Sequence, residues 1–303
     1  MAQKPRLYQN HHFDSTRWRW FEARPDDIVI ATSYKAGTTW TQAIVANLLF
    51  PDGNYPDDPG KLSPWLDLRT VPLECVLGDL EAQPHRRFIK THLPFDCLRF
   101  DERLKYVYVS RDARDVFMSM WNHYSGHNQK MYDMINNVQR RVGDEFPRAP
   151  EEIHEFWHGW ITRGWFEDET DGYPHWSHFT NVQSWWNERH RPNVLLAHYA
   201  DMLRDTEGEA RRMADFLEID VPESAWPGIV KRVSFQEMKK EGARYAPLGG
   251  ELWKGGADTF MNKGTNGRWK DVLTDDELAL YDAACERTLT PDCRAWLENG
   301  GHP

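Results

Sequence analysis

The stretch Ile28-Val-Ile-Ala-Thr-Ser-Tyr-Lys-Ala-Gly-Thr-Thr-Trp40 decides the fold of this chain. Its first four residues, Ile28 to Ala31, are apolar and predict a short buried β-strand. A turn containing Lys35 and Gly37 follows, and the mainly apolar run from Trp40 to Phe50 predicts a helix. The order is therefore strand, loop, helix.

A loop that enters a helix in this way suits a phosphate group. The first amide groups of a helix have no intrahelical partner, and the helix dipole is positive at that end. Gly37 lets the backbone approach a ligand closely. Lys35 adds a positive charge, and Thr38 and Thr39 add hydroxyl donors.

The stretch does not match the P-loop pattern G-x-x-x-x-G-K-[ST]. Lys35 precedes Gly37 instead of following a glycine, the first glycine is missing, and the usual magnesium ligand beside the lysine is absent. The loop thus predicts a phosphate site that is not built for Mg-ATP in the common way. The alternative is an ordinary strand-to-helix turn that carries a lysine.

Composition narrows the class of protein. The chain has 303 residues, and 40% of them are hydrophobic, enough for one large α/β domain with a substantial core. The formal net charge of -10 argues against a general nucleic-acid binder. The four cysteines have no metal-type spacing, which favours free thiols in a reducing compartment. With no apolar leader and no apolar run of ~18 residues, we expect a cytoplasmic protein without a membrane span or a metal site.

Further strands alternate with helices along the chain. Strands are predicted at 87–90, 105–110 and 194–197, a helix at 206–217, and a last helix capped by Thr274 and Glu277. Residues 51–85 are expected to be irregular. A helical, aromatic-rich insert is expected at about 125–180, and a glycine-rich loop at 241–270. The prediction is a single domain, 1–303, with a parallel sheet flanked by helices.

Polar residues follow each predicted strand. Lys35, Lys90 with His92, Arg111 and Tyr199 all lie where a strand ends. Ligands of doubly wound sheets gather at the carboxyl ends of the strands. This coincidence predicts one site that draws on all of these residues.

His92 is the candidate proton acceptor of that site. Alternation along an extended strand puts Lys90 and His92 on the same side, and an imidazole can take a proton near neutral pH. The alternative is a structural histidine, since the chain has 13.

Arg111 and Ser119 flank the start of a predicted helix and could meet an anion there. For Arg111, the alternative is a surface ion pair with Asp112 or Asp115. Lys263 and Gly264 could close over the same anion, and their alternative is a flexible surface loop.

Taken together, these segments resemble the cytosolic sulfotransferases. Six blocks in the family's order, from about residue 25 to 285, carry the resemblance: Lys35-Ala-Gly-Thr-Thr-Trp40, Lys90-Thr-His-Leu-Pro94, Tyr108-Val-Ser-Arg-Asp-Ala-Arg-Asp-Val116 through Ser119, Tyr199-Ala-Asp-Met202, Ser234-Phe-Gln-Glu-Met-Lys239, and Phe260-Met-Asn-Lys-Gly-Thr-Asn-Gly-Arg-Trp-Lys270. The resemblance implies a P-loop-like fold. It also implies transfer of a sulfuryl group from 3′-phosphoadenylyl sulfate (PAPS) to a hydroxyl or amine, leaving adenosine 3′,5′-bisphosphate (PAP).

The resemblance also implies roles for individual residues. Lys35 would stabilise the leaving oxygen, Lys90 would assist at the sulfuryl group, and His92 would act as general base. The donor would be bound by the following residues: Ala36, Gly37, Thr38 and Thr39 at the 5′-phosphate; Arg111, Ser119, Asn262, Lys263 and Gly264 at the 3′-phosphate; and Trp40, Tyr199 and Phe235 at the adenine.

Several positions depart from the family pattern. Asn262 replaces an arginine that usually binds the 3′-phosphate, so we expect weaker donor binding or a substitute cation, Arg268 or Arg244. Ala36 stands where a serine is common. The family's C-terminal dimer motif is only partly present, which leaves a homodimer open.

Two other functions remain as alternatives. One is a nucleotide kinase or other phosphoryl transferase on a related fold. The other is a non-catalytic nucleotide-binding homologue, motivated by Asn262. A small lipophilic hydroxyl compound is the expected acceptor. For the aromatic insert, with Phe156, Trp157, Trp160, Trp165 and Phe166, an acceptor pocket and a helix core are both open.

Overall fold

A parallel four-stranded sheet forms the centre of the molecule, with strand order β2-β1-β3-β4. The structure is a computed structural model that describes residues 5–303. The strands are β1 (Ile28–Ala31), β2 (Phe88–Thr91), β3 (Lys105–Ser110) and β4 (Val194–His198). Ile28 pairs with both Phe88 and Lys105, so the three strands start level and end at one edge.

Helices cover both faces of this sheet. The α-helices are α1 (Thr38–Leu49), α2 (Pro59–Leu62), α3 (Leu73–Ala82), α4 (Ala113–Ser125), α5 (Gln129–Asn136), α6 (Ile153–Thr162), α7 (His178–Trp186), α8 (Tyr199–Arg204), α9 (Thr206–Leu217), α10 (Trp226–Arg232), α11 (Phe235–Lys240), α12 (Gly242–Tyr245), α13 (Gly256–Phe260), α14 (Asp275–Thr288) and α15 (Pro291–Asn299). Short 3-10 helices occupy Ser15–Trp20, Phe95–Cys97, Glu223–Ala225 and Pro247–Gly250.

The core is divided by the sheet into two layers. Side chains alternate along β1, so Val29 and Ala31 belong to one cluster while Ile28 and Ile30 belong to the other. The first cluster includes buried residues of α4, α6 and α7, and the second includes those of α1 and α9. Burial on both faces explains why the strands are apolar runs instead of alternating ones.

The α/β class and the parallel sheet are confirmed, and the strands lie at or within one residue of their predicted bounds. The helix expected at 206–217 and the capping box of Thr274 and Glu277 are also present. The expectation for residues 51–85 was wrong, because this segment contains α2 and α3. Turn residues dominate its sequence, yet α3 buries Val76 and Leu80 against the core, and this packing outweighs the local signals.

Candidate active site

The loop between β1 and α1 presents a free helix N-terminus. Gly37 is the N-cap residue, with φ 115°, and no side chain caps the helix. The first backbone hydrogen bond of α1 runs from the Thr41 N–H to the Gly37 carbonyl at 2.9 Å. The amides that precede Thr41 therefore have no intrahelical partner and are suited to an anion.

Glycine is required at position 37 by both conformation and space. Its φ lies in the left-handed region that side chains rarely adopt. A Cβ there would lie 2.9 Å from Cδ2 of Tyr199, a residue that follows β4. The loop and the end of β4 are thus in direct contact.

Lys35 lies partly buried within this loop, also with a positive φ of 48°. Its Nζ is 3.3 Å from Nδ1 of His123 and 4.9 Å from the ring centroid of Phe260. Burial, together with the charges of Lys90 and Arg111, lowers the pKa of Lys35 to about 7. Near neutral pH the Lys35 amine is therefore only partly protonated, and a bound anion would favour its charged form.

Lys90 and His92 share a neighbour in Trp65. The Lys90 Nζ lies 4.4 Å from the Trp65 ring centroid, and the His92 ring centroid lies 4.6 Å from it. Lys90 and His92 therefore lie on the same side of the end of β2, as predicted. Burial lowers the pKa of Lys90 to about 8. Trp65 was missed in the sequence, where its only signal was an aromatic side chain within a segment expected to be irregular.

His92 is held in one tautomer. Its Nδ1 lies 2.9 Å from the Thr32 carbonyl oxygen, which can only accept, so Nδ1 carries the proton and Nε2 has a free lone pair. Burial and the charge of Lys90 lower the pKa of His92 and keep the ring neutral. Thr32 also contacts Thr38 through its hydroxyl, at 2.7 Å, and so connects the histidine to the start of α1.

Arg111 is buried, and the alternative of a surface ion pair with Asp112 or Asp115 was wrong. Its Nε donates to Asn266 Oδ1 at 2.9 Å, and one terminal nitrogen donates to the Thr265 carbonyl at 2.8 Å. The segment after Gly264 therefore contacts the guanidinium group of Arg111. Ser119 lies partly buried on α4.

Aromatic rings surround the same end of the sheet. The Trp40 and Tyr199 ring centroids are 5.3 Å apart, and the Arg111 guanidinium lies 4.3 Å from the Tyr199 ring centroid. Gly264 has φ 65°, and a Cβ there would lie 2.5 Å from the Phe235 ring. The structure thus brings Gly264 onto the face of Phe235, although the two are far apart in sequence.

Two arginines could replace the charge that Asn262 lacks, and their surroundings differ. Arg244 is held by Asp58 at 2.9 Å and by Glu241 at 2.7 Å. No ion pair of Arg268 occurs within the part of the chain that the structure describes. Burial, and to a smaller extent the charge of Arg268, lowers the pKa of Arg111. Lys263 is exposed, and the Asn262 carbonyl accepts a hydrogen bond from Lys239 at 3.0 Å.

The aromatic insert proves to be mostly core. Phe156, Trp157 and Trp160 are buried in the first cluster, packed against Phe117 of α4. These three rings therefore belong to the core. Between residues 5 and 303, no helix is long and apolar enough to cross a membrane.

Comparison with known proteins gives this site its context. A family model described as sulfotransferase domain matches residues 25–292. The glycolipid sulfotransferase of Mycobacterium bovis (strain BCG / Pasteur 1173P2) is 32% identical over 315 residues, covering 97% of this chain and 94% of that protein.

Two solved structures share the fold. Mouse sulfotransferase SULT7A1 complexed with PAP has a TM-score of 0.68 at 24% identity, covering 92% of this chain and 91% of that one. Retinol dehydratase in complex with androsterone and inactive cofactor PAP has a TM-score of 0.68 at 23% identity, covering 96% and 88%. Together with the family match, these structural similarities do not favour the alternative of a phosphoryl transferase. The chain belongs to the sulfotransferase family and is a PAPS-dependent sulfotransferase.

Proposed function

We propose that this enzyme transfers the sulfuryl group of PAPS to a hydroxyl group of a small lipophilic acceptor, with His92 as general base. The observation that carries the proposal is the convergence of Lys35, Lys90 and His92 on the free N-terminus of α1. Bound PAPS supplies the sulfuryl group. The protein contributes mainly position and charge, because preorganised cations at developing negative charge are a large source of rate enhancement.

The residues at the start of α1 fit the 5′-phosphate of the donor. The amides and hydroxyls of Thr38 and Thr39, with the amides of Ala36 and Gly37, would hold it. Gly37 is what allows the backbone to take this shape against Tyr199. Lys35 would stabilise the oxygen that leaves with PAP, and Lys90 would act at the sulfuryl group.

The opposite end of the donor fits the residues around Arg111. Arg111, Ser119, Lys263 and Gly264 would bind the 3′-phosphate. For this, the hydrogen bonds from Arg111 to Thr265 and Asn266 would rearrange or be shared with the ligand. The adenine would lie among the rings of Trp40, Tyr199 and Phe235.

His92 would remove the acceptor's proton. Its fixed tautomer supports this role, because Nδ1–H is committed to Thr32 and Nε2 can accept. The aromatic residues next to His92, Trp65 and Trp176, would bind the apolar part of the acceptor. A lipophilic acceptor agrees with the relative named for glycolipids and the structure solved with androsterone.

The proposal also covers the cellular compartment and the oligomeric state of the enzyme. The cysteines of the described chain are free, and three of them are buried: Cys97, Cys285 and Cys293. Free thiols are usual in a reducing compartment, so we expect the cytoplasm. A homodimer stays a prediction.

Calorimetry tests the donor site directly. PAP and Mg-ATP would be titrated into the same sample. Tight PAP binding with weak ATP binding is expected, despite Asn262. Binding of ATP without PAP would overturn the donor assignment and favour a phosphoryl transferase. Binding of PAP without turnover of any hydroxyl acceptor would favour a non-catalytic homologue.

PAP binding should take up protons above neutral pH. The free enzyme has depressed lysine pKa values, about 7 for Lys35 and about 8 for Lys90. The phosphates favour the charged lysines and raise both pKa values. Affinity is therefore expected to fall as pH rises from about 6 to 9, with uptake largest near the upper half of that range. Titration at pH 8 in Hepes and in Tris measures the uptake, and equal binding enthalpies after dilution correction would contradict it.

Arg268 is expected to supply the charge that Asn262 lacks. The Arg268→Gln substitution should weaken PAP binding by about 10-fold, the scale of one charge-assisted hydrogen bond. Arg244→Gln is the matched control and should change it little, because Asp58 and Glu241 already bind that guanidinium. Equal effects of the two substitutions on the dissociation constant would argue against a specific role for Arg268.

A further inference from the structure

A layer of histidine rings lies beside the catalytic residues, and we call it the histidine wall. It consists of His11, His12, His123, His127 and His175. The His123 and His127 ring centroids are 5.0 Å apart, and those of His12 and His175 are 6.0 Å apart. Tyr124 joins the two pairs, with its ring centroid 5.7 Å from that of His127 and 5.2 Å from that of His175.

The histidine wall lies beside Lys35 at one end and is linked to His92 through Trp176 at the other. At one end, His123 Nδ1 is 3.3 Å from the Lys35 Nζ. At the other end, the Trp176 ring centroid is 5.7 Å from that of His12 and 5.6 Å from that of His92. An acceptor that brings a hydroxyl to His92 beside Lys35 therefore has the histidine wall as a neighbour.

Polar atoms in this wall lack partners. Neither ring nitrogen of His127 has a hydrogen-bond partner anywhere in residues 5–303, and the same is true of His175 Nδ1. Both side chains are only 2% exposed. Buried polar groups in proteins are normally paired, so unpaired nitrogens next to a substrate site indicate a ligand with polar groups of its own.

Neither a metal site nor simple core packing explains the histidine wall as well as a polar ligand does. Among the described residues, no group of three or more histidine, cysteine or acidic side chains is arranged to hold a metal ion. A wall that served only as hydrophobic core would be better built from phenylalanine, which has no nitrogen to desolvate. Phe146 packs against His11, His12 and His175 in the same layer, so the fold accepts phenylalanine here.

The chemistry of the wall favours hydroxyl groups. Burial lowers the pKa of His127 to about 3 and also lowers that of His175, so both rings are neutral. A neutral imidazole has one donor and one acceptor nitrogen, and a hydroxyl group can pair with either. A ring bearing several hydroxyls could pair with the nitrogens of both histidines at once.

We infer that the histidine wall binds a polyhydroxylated, sugar-like ring of the acceptor, and that one of its hydroxyls is presented to His92. This inference rests on the proposed function and specifies its acceptor class. The apolar part of the acceptor would extend from the sugar-like ring past the aromatic residues. A plain phenol would leave the nitrogens of His127 and His175 unpaired and would be the poorer substrate.

Paired acceptors test this inference. Octyl β-D-glucopyranoside, below its micelle concentration, and 2-naphthol would each be incubated with the enzyme and PAPS. We expect a higher kcat/KM for the glucoside. His127→Phe and His175→Phe should each lower kcat/KM for the glucoside by about 10- to 100-fold and change that for 2-naphthol by less than about three-fold.

Controls separate binding from folding. PAP affinity and the thermal unfolding midpoint should be unchanged in both variants. His127→Gln keeps a donor and an acceptor and should recover part of the glucoside activity. Sulfation of 2-naphthol alone, sulfation of neither compound by an enzyme that binds PAP, or equal losses for both acceptors would overturn the inference. Failure to bind PAP would instead overturn the proposed function.

Discussion

Replacing His92 with alanine is expected to lower the rate of sulfuryl transfer by about 10²- to 10⁴-fold, the usual contribution of a positioned general base. The residue is buried, neutral and fixed by the Thr32 carbonyl, so the free Nε2 lone pair is available at neutral pH. Alanine removes this base and leaves the contact between Thr32 and Thr38 at the start of α1 in place. PAP binding should therefore stay nearly intact.

The measurement combines single-turnover kinetics with PAP calorimetry on the same preparation. His154→Ala is the control, because His154 is exposed and pairs with Glu277, which has no role in the proposed site. Its activity should equal that of the parent enzyme. If His92→Ala lost PAP binding while remaining folded, the residue would belong to the donor site and the assignment as general base would fail.

Replacing Lys35 with methionine is expected to have the second largest effect, a loss of about 10²- to 10³-fold in kcat, as for other groups that stabilise developing negative charge. Methionine keeps an unbranched side chain beside Phe260 and removes the ammonium group. Negative charge grows on the leaving phosphate oxygen during transfer, so the missing cation costs more in the transition state than in the bound ground state.

A second readout distinguishes this role from a purely structural one. The Lys35→Met enzyme should take up fewer protons on binding PAP at pH 8, because the lysine with the pKa of about 7 is gone. Lys61→Met is the control, since Lys61 is exposed and pairs with Asp57. An unchanged kcat in Lys35→Met, or unchanged proton uptake, would contradict the role given to this residue.

Both predictions depend on neighbours that lie far away in the sequence. The Lys35 Nζ rests beside His123 and Phe260, and His92 is held by Thr32 and packed against Trp65. Substitutions at these neighbours would move the catalytic groups without removing them. Their effects should therefore be smaller than those of the direct replacements.

The sequence by itself determined the framework. Apolar runs, a glycine-containing turn and alternating periodicities are local signals, and they were sufficient to predict the parallel sheet, α1 and the convergence of Lys35, Lys90, His92, Arg111 and Tyr199 at one edge. Ordered motifs were sufficient to predict the family. Local signals suffice here because a parallel sheet places the carboxyl ends of its strands at the same edge.

Only the tertiary structure decided how the site is lined. It placed Trp65 beside both Lys90 and His92 and brought Arg111 into contact with Thr265. It also buried much of the aromatic insert in the core. It also assembled the histidine wall from the N-terminal segment, α4, the turn after α4 and the residues before α7. Contacts such as that between His11 and the Pro174 carbonyl join residues with no shared periodicity. Such contacts depend on the packing of whole elements, which local patterns do not encode.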